Sequence, residues 1–329
     1  MQSRIITFSR NVFLPLTTVC RNRCGYCSFR TPVQDGCLMA QDVVEKTLQG
    51  GASLGCTEAL FTFGERPEEE PGFAAYLRQT GYTTILKYCE AMCRKSIACG
   101  ILPHTNAGIL TYGEMEQLRE VNASMGLMLE TTAKIPAHVG SKGKEPEVRL
   151  GMMEDAGKLK IPFTTGLLLG IGETMADREE SLMTIRDLHK RYGHIQEIII
   201  QNFCPKPGTP MAHHPVPGTD EICATIRMAR EILQKRIAIQ IPPNLINASA
   251  LISCGVDDLG GVSPLTIDYV NPEHPWPAID ELKTIVGDAQ LCERLCIYPQ
   301  YIKRGWYHPD LEPLINRLGQ IVKLRSSGS

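Results

Sequence analysis

The sequence has little net charge and no long run of apolar residues. Its 34 Lys and Arg residues nearly balance its 36 Asp and Glu residues, which gives a formal charge of −2. A surface dedicated to nucleic acid or to an anionic membrane is therefore not expected. No stretch approaches the roughly 18 apolar residues of a membrane helix, and Arg4 and Arg10 interrupt the only apolar stretch near the N-terminus. Without a signal segment, repeat or linker, the chain is predicted to be a cytoplasmic protein.

Cysteine, by contrast, is abundant, with thirteen residues in a chain of 329. An odd number of cysteines in a cytoplasmic protein favours metal ligands or reduced thiols over disulfides. Two pairs with a spacing of four, Cys89 with Cys93 and Cys292 with Cys296, are predicted to be buried thiols on helices.

Three cysteines form a compact C-x3-C-x2-C group, Cys20, Cys24 and Cys27, directly after the β-prone stretch 12–19. Three thiolates on one loop can hold three corners of a cubane iron–sulfur cluster. The loop contains no fourth cysteine, which leaves the fourth iron open to a ligand from outside the protein. The alternatives are a structural zinc site with Cys37 as fourth ligand, or a set of buried thiols.

Strand-like and helix-like segments alternate along the whole chain. This alternation predicts βαβ units and a parallel sheet, and the fold we expect is α/β, a (β/α)8-type TIM-like barrel, complete or partly open. The predicted strands span residues 12–19, 57–63, 101–102, 124–129, 162–169, 195–203 and 237–241, with a weaker eighth near 257–262. The predicted helices span residues 41–54, 74–96, 112–121, 145–159, 175–192 and 219–234.

Polar residues of unusual types cluster where the predicted strands end. In barrels of parallel strands these carboxyl ends meet on one face, and active sites are built there. Each residue alone is equally well explained as a helix cap or a satisfied core group, but their shared placement predicts a site. They are Cys20, Cys24, Cys27, Glu65, Arg66, His104, Asn106, Glu130, Glu173, Gln201, Asn202 and Asn244.

The cysteine motif, with Tyr26 before its last cysteine, resembles that of the radical S-adenosylmethionine superfamily. Further stretches resemble its deazaflavin (Fo) synthase branch: Phe61–Pro67, Leu102–Asn106, Thr164–Thr174, Gln201–Phe203 and Asp268–Pro275. The resemblance covers essentially the whole chain, and it implies one radical S-adenosylmethionine barrel over residues 1–329 with a C-terminal helical extension. It also implies a [4Fe–4S] cluster on the three cysteines and S-adenosylmethionine on the open iron, which yields a 5′-deoxyadenosyl radical that abstracts hydrogen.

Carried over residue by residue, the resemblance assigns cofactor contacts. Glu65 matches the residue that receives the methionyl amine, Glu130 the one that accepts ribose hydroxyls, and Arg149 would pair with the methionyl carboxylate. Tyr26 and Gly64 complete this set, although Phe63 stands where the superfamily often has another glycine. Arg149 could instead be a helix-surface arginine.

The stretch Gly170-Ile-Gly172 lacks the third glycine of a dinucleotide-binding fingerprint, because residue 175 is Met. By the same resemblance, we expect these glycines to let the backbone approach adenine.

For the reaction, the resemblance implies a lyase of coenzyme F420 biosynthesis. Its substrate would be an adduct of a tyrosine-derived p-hydroxybenzyl unit and 5-amino-6-(D-ribitylamino)uracil, made by a CofH-like partner synthase. Hydrogen abstraction, ring closure and loss of ammonia would give Fo, with electrons from a donor such as ferredoxin or flavodoxin. The substrate-pocket candidates are His104, Asn106, Gln201, Asn202 and Asp268. The alternatives are the partner synthase itself, a maturase-type radical enzyme, or a non-catalytic iron–sulfur protein.

Overall fold

Eight parallel strands close into a barrel in the computed structural model, which describes residues 4–233 and 237–327. The barrel strands run in the order β2 to β8 and then β1, which also pairs with β2 and so closes the ring. The predicted (β/α)8 barrel is confirmed, in its complete form. The strands of the described residues are β1 (Ile5–Thr17), β2 (Glu58–Phe63), β3 (Leu102–Asn106), β4 (Ser124–Gly126), β5 (Phe163–Leu169), β6 (Ile195–Asn202), β7 (Ala238–Gln240), β8 (Asp258–Val262) and β9 (Gln290–Glu293).

Helices follow the strands and pack around the barrel. Residues 74–96, predicted as one helix, form two, because the chain turns at Gly81 with a φ of +87°. The predicted helix at 219–234 is confirmed up to Leu233, and Gln234 lies outside the described residues. In the described residues the helices are α1 (Gln41–Ser53), α2 (Phe73–Gln79), α3 (Ile85–Ala98), α4 (Tyr112–Arg119), α5 (Pro146–Lys158), α6 (Met175–Tyr192), α7 (Thr219–Leu233), α8 (Ala248–Ile252), α9 (Ile279–Val286), α10 (Pro299–Lys303) and α11 (Glu312–Ser327).

The main hydrophobic core lies between the barrel and these helices. Phe61 of β2, Met92 of α3 and Ile185 of α6 are all fully buried there. Because strand side chains alternate between two faces, the other face of each strand points into the barrel. On β1 the inward positions are Ser9, Asn11 and Phe13, which line the interior cavity.

A second hydrophobic cluster joins the C-terminal helices to the barrel. Tyr301 of α10 and Leu318 of α11 pack with Leu102 and Ala123, which lie at the amino ends of β3 and β4. The ninth strand pairs in parallel with the first residues of β1, from Ile5 onwards. The chain after β9 therefore closes the end of the barrel opposite the strand carboxyl ends.

Three predictions about individual elements are wrong. The third strand extends to Asn106, so His104 lies inside it instead of following it. Cys292 lies in β9 and Cys296 in the loop that follows it, so neither is on a helix, and Cys292 is only half-buried; the short strand was not recognised in the sequence. Cys223 and Cys254, expected to be reduced thiols, are joined in a disulfide with their Cα atoms 5.5 Å apart. The other eleven cysteines are free.

None of the helices in the described ranges has both the length and the apolar character needed to cross a membrane.

Candidate functional site

A cavity of about 430 Å³ opens at the carboxyl ends of the strands and extends down the barrel axis. This size is within the usual range for cofactor and small-molecule sites. Thirteen of the eighteen residues that the sequence places at the site line this cavity. The five that do not line it are Arg66, Gly170, Gly172, Glu173 and Asn244.

The three motif cysteines lie on the loop after β1, at the mouth of the cavity, and all three are half-buried free thiols. Backbone hydrogen bonds fix this loop on two sides. The Gly25 amide donates to the Ala137 carbonyl at 2.8 Å, and the Arg21 amide donates to the Glu65 carbonyl at 2.9 Å. The loop is therefore held against the chain that follows β2 and the chain that follows β4.

Gly64, the first residue after β2, lies directly under the cysteine loop. Its amide donates to the Thr17 carbonyl at 2.9 Å, and the next amide, of Glu65, donates to the Cys20 sulfur at 3.2 Å. A Cβ atom at residue 64 would lie 2.0 Å from the Val19 carbonyl oxygen and 2.7 Å from the Cys20 Cβ. Only glycine fits this contact, so Gly64 sets how closely β2 approaches the cysteines.

The cysteine thiols are held in a partly dry environment. Burial raises the pKa of Cys20 and Cys24 above the ordinary thiol value. No three His, Cys, Asp or Glu side chains within residues 4–233 and 237–327 are already gathered around one shared ion position.

Glu65 is buried beside this loop, with 3% of its surface exposed. Arg21 donates to its Oε1 at 2.9 Å, and the Ile109 amide donates to Oε2 at 3.2 Å. A Cβ atom at Gly143 would lie 1.6 Å from Oε1, so a glycine there makes room for the carboxylate. Since each carboxylate oxygen can accept two hydrogen bonds, Oε2 retains capacity for a further donor.

Glu130, in the chain after β4, is the centre of a polar cluster in the cavity wall. Its carboxylate accepts from the Tyr26 hydroxyl at 2.5 Å and from the Lys144 ammonium, and it lies 2.9 Å from His138 Nε2. Its backbone has a φ of +68°, a left-handed conformation that is unfavourable for a residue with a side chain and is often found at functional sites. The parallel bridge between Glu130 and Leu167 of β5 holds it in place.

The charge of Glu130 is stabilised by its neighbours. Burial alone would raise the pKa of this carboxyl, but the Lys144 and Arg149 cations, together with His138, hold it well below its usual range. Burial of the ring, and after it the same carboxylate, raises the pKa of Tyr26 well above its ordinary value. Glu130 is therefore an ionised acceptor and Tyr26 a neutral donor near neutral pH.

Arg149 is buried, with 3% of its surface exposed, although it belongs to α5. One terminal nitrogen donates to the Met128 carbonyl, whereas the buried Nε has no hydrogen-bond partner. The alternative of a helix-surface arginine is thus wrong. A buried donor without a partner costs roughly 1–3 kcal/mol, and a bound anion would satisfy it.

Gly170 and Gly172 form a tight turn after β5, with φ angles of +89° and +111° that favour glycine. The Glu173 carboxylate accepts from the amides of Gly170 and Ile171, both at 2.8 Å. These two amides are therefore already satisfied. That this turn contacts adenine stays a prediction.

His104 faces the middle of the cavity in one defined tautomer. The Ser124 hydroxyl donates its only proton to the Cys296 carbonyl at 2.7 Å, so it must accept from His104 Nδ1, also at 2.7 Å. His104 Nε2 consequently carries a lone pair. Burial, with a smaller contribution from the Arg294 cation, lowers the pKa of His104 to about 3, and the ring is a neutral acceptor.

The other pocket candidates differ in how far they are already engaged. Asn202 is buried and its Oδ1 has no partner, and Asn106 and Gln201 line the cavity at the ends of β3 and β6. Asp268 also lines it, but its carboxylate accepts from the amides of Val270 and Asn271. Its main contacts shape its own loop.

Sequence reasoning missed five cations that line the cavity, Arg23, Arg30, Lys144, Lys206 and Arg294. Arg23 and Arg30 both pair with Glu70. Lys144 pairs with Glu130 and Lys206 with Glu273. Lys206 follows β6, so the rule of polar residues after strand ends could have found it. Arg294 enters from the opposite end of the barrel, after β9, and no strand-end pattern marks it.

A barrel whose strand ends present a three-cysteine loop and a carboxylate-lined cavity is the architecture of one large enzyme class. The model of the radical SAM superfamily matches residues 14–185, and the chain belongs to this superfamily. Its members use a [4Fe–4S] cluster and S-adenosylmethionine, which favours an iron–sulfur cluster over a zinc site that includes Cys37.

Relatives within the superfamily define the family more closely. The chain is 72% identical to the 7,8-didemethyl-8-hydroxy-5-deazariboflavin synthase of Methanoregula boonei, with 99% of each chain covered. It is 68% identical to that of Methanoculleus marisnigri, with 98% of this chain and 97% of the relative covered. The enzyme of the same name from Archaeoglobus fulgidus is 50% identical over 95% of this chain and 97% of its own. The chain belongs to the family of 7,8-didemethyl-8-hydroxy-5-deazariboflavin (Fo) synthases.

Solved structures of more distant proteins share the fold. The hydrogenase maturase HydG of Carboxydothermus hydrogenoformans is 18% identical, with a TM-score of 0.66 over 97% of this chain and 82% of its own. Methylornithine synthase is 14% identical, with a TM-score of 0.64 over 94% of this chain and 86% of its own. At such low identity these similarities support the barrel and nothing more specific.

Proposed function

We propose that this chain catalyses the ring-closing reaction of Fo biosynthesis: hydrogen abstraction from the hydroxybenzyl–diaminouracil adduct, cyclisation and loss of ammonia. The name shared by relatives that are 50–72% identical supports the product. The observation that carries the proposal is the convergence of the cysteine loop, Glu65, Glu130 and Arg149 on one cavity whose deeper part is lined by neutral polar groups.

Three free thiols on one fixed loop, with a glycine pressed beneath them, fit a [4Fe–4S] cluster held by Cys20, Cys24 and Cys27. When bound, the cluster and S-adenosylmethionine together supply a 5′-deoxyadenosyl radical that abstracts hydrogen. The protein's own part is to bind and orient. Barrel walls and the cysteine loop exclude water from this region and so limit side reactions of a reactive species.

The cofactor's polar groups find complementary partners in the cavity. The unpartnered Nε of Arg149 suits the methionyl carboxylate, because guanidinium–carboxylate bonds are charge-assisted and directional. Oε2 of Glu65 can accept from the methionyl amine. Glu130, kept ionised by Lys144, would accept from ribose hydroxyls. Tyr26, which donates to Glu130, and Gly64, which packs against the cysteine loop, would help to hold the cofactor.

Deeper in the cavity the proposed substrate contacts are His104, Asn106, Gln201 and Asn202, with Asp268 acting through the loop that it shapes. His104 Nε2 accepts only, which suits an imide N–H of the uracil ring. The amides of the other residues can both donate and accept, as carbonyl and hydroxyl edges require.

The reaction also requires partners. We propose a CofH-like synthase that supplies the adduct, a ferredoxin or flavodoxin as electron donor, and a cytoplasmic location. The single-barrel organisation over residues 1–329, with α10 and α11 as the helical extension, belongs to the same proposal.

Anaerobic turnover of the reconstituted enzyme with dithionite tests the proposal. With tyrosine and the diaminouracil alone we expect no Fo fluorescence. With the partner's purified product, Fo, ammonia and 5′-deoxyadenosine should appear together in mass spectra. Consumption of tyrosine by this chain alone, with release of a glycine fragment, would show that it is the partner synthase.

Cofactor binding is tested separately by Glu65→Gln and Arg149→Ala. Loss of a charge-assisted contact of this kind costs roughly 1.5–3 kcal/mol, so the affinity for S-adenosylmethionine should fall about ten- to a hundredfold. The matched controls are Glu180→Gln at an exposed position and Arg186→Ala at a partly exposed position of α6; neither residue lines the cavity, and both variants should leave this affinity unchanged. Unchanged affinity in both cavity variants would refute these two assignments.

A further inference from the structure

The lower end of the cavity carries polar residues where barrels of this type usually carry apolar ones. Inward-facing layers of such barrels are dominated by Val, Ile and Leu. Here Asn11 of β1 lies in register with Glu58 of β2, and Thr164 of β5 lies in register with Glu197 of β6. All four line the cavity. Placing such groups in a barrel interior is unfavourable unless each finds a partner.

Much of this layer is neutralised internally. Arg294 donates to Glu197 at 2.8 Å and to Asp258 at 2.6 and 2.7 Å. The Tyr298 hydroxyl also donates to Glu197 at 2.9 Å, and Thr164 donates to its other oxygen at 2.9 Å. We call this polar layer at the lower end of the cavity the floor. On the Glu197 side of the floor, the carboxylates have hydrogen-bond donors and form a rigid network.

On the Asn11 side of the floor, some hydrogen-bond acceptors have no donor in the part of the chain that the structure describes. Asn11 is 1% exposed and its Oδ1 has no hydrogen-bond partner. Ser9 donates to one oxygen of Glu58 at 2.5 Å, and within the described residues no hydrogen bond reaches the other oxygen. Two residues after Glu58 on β2, towards the carboxyl end of the strand, Leu60 lies in register with His104 of β3. The Nε2 atom of His104 carries a lone pair. The Asn11 oxygen, the second Glu58 oxygen and His104 Nε2 can therefore each accept a hydrogen bond from a ligand.

The level above the floor differs in character. Phe13 and Leu60 lie in register there, and Ile199 of β6 lies in the position after Glu197 that faces the same side. Flat apolar walls suit a ring system, whereas acceptors without donors suit hydroxyl groups. The cavity thus has a polar floor, an apolar middle and the cysteine loop at its mouth.

We infer that Asn11 and Glu58, with His104 at the upper edge, form a subsite for the hydroxyl-bearing ribityl chain of the substrate and product. The inference rests on the proposed function, because the Fo skeleton joins a flat ring system to this chain. The ring lies between Phe13, Leu60 and Ile199, and the chain points away from the cysteine loop. Its hydroxyls donate to the three acceptors, and the reacting ring carbons remain on the side of the cofactor.

The test compares two fluorescent probes on the anaerobic, reconstituted enzyme: Fo itself, and an analogue with a methyl group in place of the ribityl chain. Wild type should bind Fo at least about tenfold more tightly, because several hydrogen bonds to buried polar groups are lost with the chain. Equal affinity for the two probes would overturn the inference, whatever the variants do.

Asn11→Ala and Glu58→Gln should each lower the affinity for Fo severalfold to tenfold and leave the affinity for the methyl analogue unchanged. Glu293→Gln is the matched control, since Glu293 is a buried carboxylate that pairs with Arg10 and Arg325 and does not line the cavity. The ratio of the affinity for Fo to the affinity for the methyl analogue should be the same in Glu293→Gln as in wild type. If both floor variants melt normally and keep the wild-type ratio, the subsite is wrong.

Failure of the subsite and failure of the proposed function give different results. A wild-type enzyme that forms Fo from the partner's product but does not distinguish the probes refutes only the subsite. A wild-type enzyme that cleaves S-adenosylmethionine, yet forms no Fo from that product and binds neither probe, refutes the proposed function, and the subsite with it.

Discussion

The contact between Gly64 and the cysteine loop leads to a sharp prediction for Gly64→Ala. The added Cβ would meet the Val19 carbonyl oxygen at 2.0 Å and the Cys20 Cβ at 2.7 Å, where ordinary contacts begin at 3.4 Å. Both are backbone or backbone-adjacent atoms that cannot rotate away. Val19 and Cys20 must therefore move by about 1 Å or more.

Such a shift should lower the stability of the protein moderately and the reaction rate at the site severely. Overpacking of this kind costs roughly 1–3 kcal/mol, which lowers the melting temperature by a few degrees and leaves the barrel folded. A displacement of about 1 Å in a reactive site can cost about a hundredfold in rate. The hydrogen bonds from Gly64 to Thr17 and from Glu65 to the Cys20 sulfur would break at the same time.

The assay measures iron and sulfide per chain, the visible absorbance after reconstitution, and the rate of 5′-deoxyadenosine formation. Gly64→Ala should show a clear loss in all three while its far-ultraviolet circular dichroism stays native. Gly113→Ala and Gly151→Ala are the controls, because nothing lies within 4 Å of either new Cβ. On helices α4 and α5 they should be neutral or stabilise by up to about 1 kcal/mol. A Gly64→Ala enzyme with four irons and an unchanged rate would refute the packing argument.

Three further predictions concern the cluster, the ribose site and the floor. Replacing any one loop cysteine with Ala should remove the brown colour and most of the iron, and four irons per chain in the triple variant would refute the ligand assignment. Lys144→Met should weaken S-adenosylmethionine binding roughly tenfold, since Glu130 loses a counter-ion, and titration calorimetry would detect it. Burial raises the pKa of Glu197 from 4.5 to about 7, so the stability contributed by its protonated form is complete below about pH 4.5 and declines until the pH passes about 7. The melting temperature of Glu197→Gln, measured between about pH 4 and about pH 8, should lack that decline, and an unchanged slope would contradict it.

The sequence was sufficient for the parts of this protein that depend on local patterns. Alternating strands and helices predicted the barrel, and the eighth strand near Asp258 was weak but correct. The strand-end rule gathered residues as distant in the chain as Cys20 and Gln201 into one cavity. This worked because a closed barrel of parallel strands brings every carboxyl end to the same face. A residue that follows a strand in the sequence can therefore be placed on that face without knowledge of the structure.

What the sequence could not predict depends on contacts between distant segments. Arg294 follows β9, a four-residue strand with no clear alternation, and it reaches Glu197 and Asp258 only after the barrel has closed. The left-handed backbone of Glu130 and the tautomer of His104 likewise depend on partners 37 and 20 residues away. Neither propensity nor periodicity encodes such pairings.

The pairing of the cavity cations bears directly on the substrate that we propose for this chain. A free amino acid presents an ammonium and a carboxylate, and its site needs an unpaired cation for the latter. Lys206 is neutralised by Glu273, and Arg294 is shared between Glu197 and Asp258. The other cavity cations are also paired, Lys144 with Glu130 and both Arg23 and Arg30 with Glu70. The Nε atom of Arg149 has no hydrogen-bond partner among the described residues, but we propose that it binds the carboxylate of S-adenosylmethionine. The remaining cavity offers neutral amides, a neutral imidazole and unpaired acceptors, which favours the proposed adduct, with its hydroxyl-bearing chain and no carboxylate, over tyrosine as the substrate.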